Sequence, residues 1–133
     1  MKVDGQCHCG QIRYESEIDP DNVSVCHCTD CQTLTGTAYR VSAPAPAASL
    51  VFLTGAPKIY IKTAESGNKR AQAFCSNCGA PIYSADAHDP QVFFLRVGTM
   101  SQRAALPAKR QIWCRSALSW ASDLNGLERS ERA

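Results

Sequence analysis

Cys26-His27-Cys28-Thr29-Asp30-Cys31 places three thiols within six residues. Free cysteine packs as a small hydrophobe, but core hydrophobes repeat with the period of a helix or a strand. Steps of two and then three match neither period. The spacing predicts a chain that leaves a strand and turns, gathering the sulfurs around a point about 2.3 Å from each, as a zinc ion requires. Three protein ligands are also the number at which zinc tends to keep a fourth, open position where chemistry can occur. Cys26, Cys28 and Cys31 are therefore the candidate active centre.

Two further pairs share a different pattern, a cysteine pair followed by glycine: Cys7-His8-Cys9-Gly10 and Cys75-Ser76-Asn77-Cys78-Gly79. In such a knuckle the turn points backbone N–H groups at the sulfurs, and the glycine supplies the positive φ that lets the chain leave. Pairing the two groups gives a closed site of four thiolates, Cys7, Cys9, Cys75 and Cys78, which is structural in kind. A redox dithiol at Cys75 and Cys78 is disfavoured, because no βαβ pattern surrounds it. Cys114 stands alone beside Trp113 in an apolar stretch and reads as a buried packing residue. As a fourth ligand to the Cys26 group it would close that site. His8 and His27 each sit between two cysteines, so in extended chain they face away from the metal. His88 reads as solvated, and Asp30 as a turn residue or a base near the metal.

Size and charge narrow the classes. A chain of 133 residues reads as one domain, 1–133, with a modest core. Fourteen basic against 12 acidic side chains leave no strongly basic footprint, which argues against a nucleic-acid partner. The N-terminus has no apolar signal core, and the longest apolar runs, Leu50 to Leu53 and Val92 to Leu95, have strand length. No membrane span is expected, and the localisation expected is cytoplasmic. The cytosol keeps thiols reduced, so eight cysteines point to metal rather than disulfides.

Along the chain, period-2 alternation and turn residues predict mainly β structure with little helix. Strands are expected at 11–15, 23–25 leading into Cys26, 37–41, 69–74, 81–84, 91–97 and 110–114. Leu50 to Thr54 and Lys58 to Lys62 read as a hairpin across Gly55. Ala43 to Ala47 reads as a connector, because two prolines break a ladder. Residues 32–35 read as a single helical turn before Gly36, 101–109 as irregular, and 128–133 as frayed. Trp120 is expected to dock the tail.

The residues together resemble a known family. Gly5-x-Cys7-x-Cys9-Gly10 runs into Ile12-Arg13-Tyr14, followed by Cys26-His27-Cys28-x2-Cys31, Thr35-Gly36 and Phe74-Cys75-x2-Cys78-Gly79. Gly98-Thr99 and Ile112-Trp113 with Trp120 complete the pattern. The chain is similar to the glutathione-dependent formaldehyde-activating enzymes, a family that also includes centromere protein V. The resemblance implies a β-tent of antiparallel sheets with short helical turns, held by zinc. It implies two zinc ions per chain, a structural one on Cys7, Cys9, Cys75 and Cys78 and a catalytic one on Cys26, Cys28 and Cys31. The activity it implies is that of a carbon–sulfur lyase, which condenses glutathione with formaldehyde to S-hydroxymethylglutathione. The partners are then a small thiol such as glutathione and an electrophile, with Arg40, Lys69, Arg70, Arg96, Arg110 and Arg115 available to line a site for an anionic thiol. The competing expectation is a non-catalytic zinc module that binds a partner, with Cys114 closing the second site.

Overall fold

The computed structural model describes residues 1–133, arranged as ten strands, one α-helix and several short 3-10 turns. Strands β1 (Lys2–Gln6), β2 (Arg13–Glu17) and β5 (Val51–Thr54) form a small antiparallel sheet in the order β1-β2-β5. A second sheet has seven strands in the order β10-β3-β4-β9-β8-β7-β6. They are β3 (Ser24–Cys26), β4 (Arg40–Pro46), β6 (Lys58–Thr63), β7 (Lys69–Phe74), β8 (Pro81–Asp86), β9 (Val92–Arg96) and β10 (Arg110–Ile112). All its pairs are antiparallel except β10 with β3. No helix is long and apolar enough to cross a membrane.

Alternation along the strands explains why the sheets stack. Val3 and Tyr14 of the small sheet and Ala43, Ala45, Leu95 and Ile82 of the large one are buried in one apolar cluster. A chain of aromatic contacts crosses between them: Tyr14 to Phe52 at 6.4 Å, Phe52 to Tyr83 at 6.4 Å and Tyr83 to Phe93 at 4.6 Å. Fully burying a large apolar side chain contributes about 1.5–3 kcal/mol. Of these four only Tyr14 is fully buried, the others being half-buried against the cluster. Gly5 lets the Tyr14 ring lie over the backbone of β1, since a Cβ there would stand 2.3 Å from Cζ of that ring. The intervening residues of the large sheet face the other way and are mostly polar, with Phe94 among them. Arg40 and Ser42 on β4, Gln72 on β7, Ser84 on β8 and Arg96 on β9 are all buried. One face of the large sheet thus packs a core, and the other builds a site.

Several details depart from what the sequence implied. The expected connector at Ala43 to Ala47 is largely strand, because β4 runs to Pro46 and pairs with β9 throughout that stretch. The Pro44 carbonyl accepts from Asp19 N at 3.1 Å, so Pro44 turns its donorless nitrogen away from β9, toward the side that β3 no longer occupies. The expected hairpin of Leu50–Thr54 with Lys58–Lys62 does not form. β5 pairs with β2 and β6 with β7, so the chain changes sheets at Gly55. Gly55 has φ of +70° and packs so closely on Gln11 that a Cβ would lie 2.5 Å from the Gln11 carbonyl oxygen. The 37–41 strand begins only at Arg40. The helical turn is instead a seven-residue helix, α1 (Thr29–Thr35). Trp120 does not dock the tail and is 63% exposed, and Cys114 is exposed rather than buried.

Candidate metal centres

The first cysteine group is assembled by two turns of the same design. After β1, Cys7 N donates to the Ile12 carbonyl at 3.0 Å and Gly10 N to the Cys7 carbonyl at 3.1 Å. After β7, Cys75 N donates to the Ala80 carbonyl at 3.0 Å and Gly79 N to the Cys75 carbonyl at 2.8 Å. Gly10 and Gly79 take φ of 81° and 77°, the left-handed conformation that their position after each pair suggested. The two turns meet, and the sulfurs of Cys7, Cys9, Cys75 and Cys78 all lie within 4.8 Å of one another. Cys7 and Cys9 are 3.6 Å apart and Cys9 and Cys75 are 3.8 Å apart. Bonds of about 2.3 Å to a tetrahedral ion separate sulfurs by about 3.8 Å, so the group fits zinc. One turn belongs to the small sheet and the other to the large one, so a metal here ties the sheets together.

Hydrogen-bond donors surround these sulfurs. Ile12 N donates to Cys7 Sγ at 3.2 Å. The amides of Ala80 and Cys9 hold the Cys78 thiol down to about 6. The Asn77 side chain and then the Gln11 amide lower Cys9. N–H groups aimed at a sulfur favour its thiolate, the form that binds metal.

The second group comes from one segment. β3 delivers Cys26, the chain turns, and α1 begins with Cys28 as its N-cap, whose Sγ accepts from Cys31 N at 3.3 Å. The helix closes on Gly36 at φ of 65°. Cys26, Cys28 and Cys31 place their sulfurs within 4.8 Å of one another, a set of thiol donors that suits zinc. A hydrogen bond from Cys31, opposed by burial, leaves the Cys26 thiol lowered, while the same pairing and burial raise Cys31. His27, between two of the cysteines, turns away as expected. It is buried, lies 2.7 Å through Nε2 from Gln111 Oε1 of β10, and packs edge-on against Tyr39 at 5.7 Å. His8 and His88 are exposed. Asp30 is in an ion pair with Lys62 at 2.7 Å. Cys114 belongs to neither group.

The surroundings of the two groups differ. Cys26, Cys28 and Cys31 line a cavity of about 610 Å³ on the polar face of the large sheet, whereas none of the first four cysteines does. Arg40, Arg70, Arg96, Arg110 and Arg115 also line it, with Lys62, against only two carboxylates, Asp30 and Glu65. Lys69, the sixth cation considered from sequence, does not. Gln72 was missed, although its place between Ala71 and Ala73 marks a polar position in a strand with a buried apolar face.

Comparison with known proteins agrees with this reading of the chain. A curated protein of Halomonas elongata, provisionally named a glutathione-dependent formaldehyde-activating enzyme, is 29% identical over 97 residues, covering 69% of this chain and 61% of its own length. A crystal structure of a Rhodobacter sphaeroides protein, 19% identical, shares the fold at a TM-score of 0.62, covering 81% of this chain and 98% of that one. The family model described as glutathione-dependent formaldehyde-activating enzyme matches residues 2–116. With that match spanning both cysteine groups, the chain belongs to the glutathione-dependent formaldehyde-activating enzyme family.

Proposed function

We propose that the protein is a zinc-dependent enzyme of carbon–sulfur bond chemistry, joining a thiol such as glutathione to an aldehyde such as formaldehyde and catalysing the reverse. The reading is carried by one observation: the three-cysteine group opens into the large cavity while the four-cysteine group does not. On this reading Cys7, Cys9, Cys75 and Cys78 hold a structural zinc, and Cys26, Cys28 and Cys31 hold a catalytic one. A zinc with an exchangeable position lowers the pKa of a thiol that reaches it.

The chain's own groups then do the rest. The β3–α1 turn fixes three sulfurs on one wall, leaving the side toward the cavity for substrate. The positive lining attracts an anionic thiol and favours its ionised form, the nucleophile toward an aldehyde carbon. His27 and Gln32 brace the wall, since the Gln32 amide donates to the carbonyls of His27 at 2.8 Å and Ser116 at 3.0 Å. Thiol-rich sites of this kind suit a reducing compartment such as the cytoplasm. The alternative of a closed, non-catalytic second site needs Cys114, which lies outside the group.

Exchange NMR tests the reading directly. With glutathione and formaldehyde, the protein should speed exchange between free and hydroxymethylated glutathione above the rate given by an equal concentration of Cys28→Ser. An increment indistinguishable from that variant removes formaldehyde activation as the function.

A further inference from the structure

Arg40 and Arg96 are nine-tenths buried, at 6% and 7% exposure, and both line the cavity. Buried guanidinium groups are ordinarily matched by carboxylates. The ion pairs of this protein lie elsewhere, at Lys62–Asp30, Arg70–Asp86 and Arg115–Glu65. The two arginines instead share a neutral acceptor, Gln72 Oε1, 2.8 Å from Arg40 Nη1 and 3.1 Å from Arg96 Nη2. Arg96 is further held by Ser42 Oγ at 2.7 Å and the Phe94 carbonyl at 3.2 Å, both through Nη1. Arg40 has no such second anchor. Its Nε, like that of Arg96, is buried without a partner, but where Arg96 uses both Nη1 and Nη2 the one hydrogen bond of Arg40, to Gln72, runs through Nη1. Nε and Nη2 form the guanidinium edge that takes a carboxylate in two parallel hydrogen bonds, and on Arg40 no protein acceptor is hydrogen-bonded to that edge.

Charge leads to the same place. Burial, and then the neighbouring Arg40, push Arg96 down to about 9, the direction expected of a buried cation with a second cation beside it. A dication on three thiolates carries one net negative charge, which offsets one guanidinium and leaves the other. The register also fixes where the missing anion belongs. Arg40 is the direct cross-strand partner of Cys26 in the β3–β4 ladder, so the two side chains leave the same face about 5 Å apart at their roots. A carboxylate on Arg40 is thus only a few bonds from a sulfur held beside Cys26.

We propose that the free edge of Arg40 is a carboxylate subsite and that, among the thiols the cavity admits, compact mercapto-acids, in which thiol and carboxylate are separated by a short carbon chain, bind more tightly than neutral thiols. This rests on the reading of the cavity as a thiol site. The test titrates zinc-loaded protein with 3-mercaptopropionate, its neutral counterpart 2-mercaptoethanol, and propionate, by calorimetry and by the NMR resonance of Arg40 Nε–H. The mercapto-acid should bind roughly tenfold or more tighter than the neutral thiol, the increment of one charge-assisted hydrogen-bonded pair. Propionate alone should shift the Arg40 resonance. Arg40→Lys keeps the charge but lacks the fork, so it should lose most of that preference while binding 2-mercaptoethanol within about twofold of wild type. Equal weakening of both thiols, or a resonance that propionate leaves in place, overturns the proposal and leaves Arg40 a counter-charge to the thiolates. Should Arg40→Lys fail to fold, the wild-type preference and the resonance decide alone. A propionate response with no binding of either thiol keeps the subsite and removes the thiol reading instead.

Discussion

The two cysteine groups present the same donor atom in opposite settings. The first is collected from two turns 66 residues apart, between Cys9 and Cys75, one in each sheet, and it is walled by backbone amides. The second is collected within six residues of one strand–helix junction and faces a cavity. A site that joins distant segments closes a long loop and so bears on stability. A site made from one local segment adds little to the fold, and its geometry can serve a ligand. On the proposed reading, chain separation and access, more than ligand chemistry, divide the structural role from the reactive one.

Breaking the first group should have the largest effect. Cys78→Ser should unfold the domain by circular dichroism, since a structural zinc contributes on the order of 10 kcal/mol, comparable to the whole stability of a domain. Retention of the native melting temperature would remove the structural role. Gly5→Ala presses a methyl group into the Tyr14 ring and should cost about 1–3 kcal/mol. In a chelator titration its first group should release metal earlier than in wild type, with the second group unaffected. Parallel release from both would show that the small sheet does not seat the first group.

Tyr14 offers a milder probe of the same sheet. Burial raises its hydroxyl to about 12, and that hydroxyl lies 2.7 Å from Thr99 Oγ1, whose own proton goes to the Arg96 carbonyl. The neutral form is the one the fold prefers, so this contribution is whole below pH 10, the unfolded value, and falls away as the pH rises toward 12. Tyr14→Phe loses the 2.7 Å contact with Thr99 Oγ1, worth about 1 kcal/mol, and should flatten the alkaline decline in urea midpoint between those pH values. An unchanged decline would place its cause elsewhere. The smallest effect on stability is expected from Cys28→Ser, which should shed the second metal in elemental analysis while the melting temperature moves by only a few degrees. A collapse equal to that of Cys78→Ser would make both sites structural.

The cysteine groups were legible because turn chemistry is local. The glycine after each pair and the uneven spacing at Cys26 carry their geometry with them. Strand partners were not legible, because period-2 alternation tells which side of a strand is buried but says nothing of its neighbour. Hence β5 and β6 looked like a hairpin while each joins a different sheet. Pro44 and Pro46 looked like breakers because the free side of β4 is a property of where β3 stops. Cys114 looked buried from its apolar neighbours and Trp120 looked like an anchor for the tail, and both are exposed. Arg40 and Arg96 could be named only among six cations, since their burial and their shared Gln72 depend on the ladder order β4-β9-β8-β7.

The central claim is that one metal site is open to substrate thiol and the other is closed. Cobalt, loaded into both sites, reports this directly through its thiolate charge-transfer and d–d bands. Adding glutathione should change the bands of the three-cysteine site alone, and the difference spectrum should vanish in Cys28→Ser. A cobalt spectrum indifferent to glutathione in the wild-type protein would contradict the account.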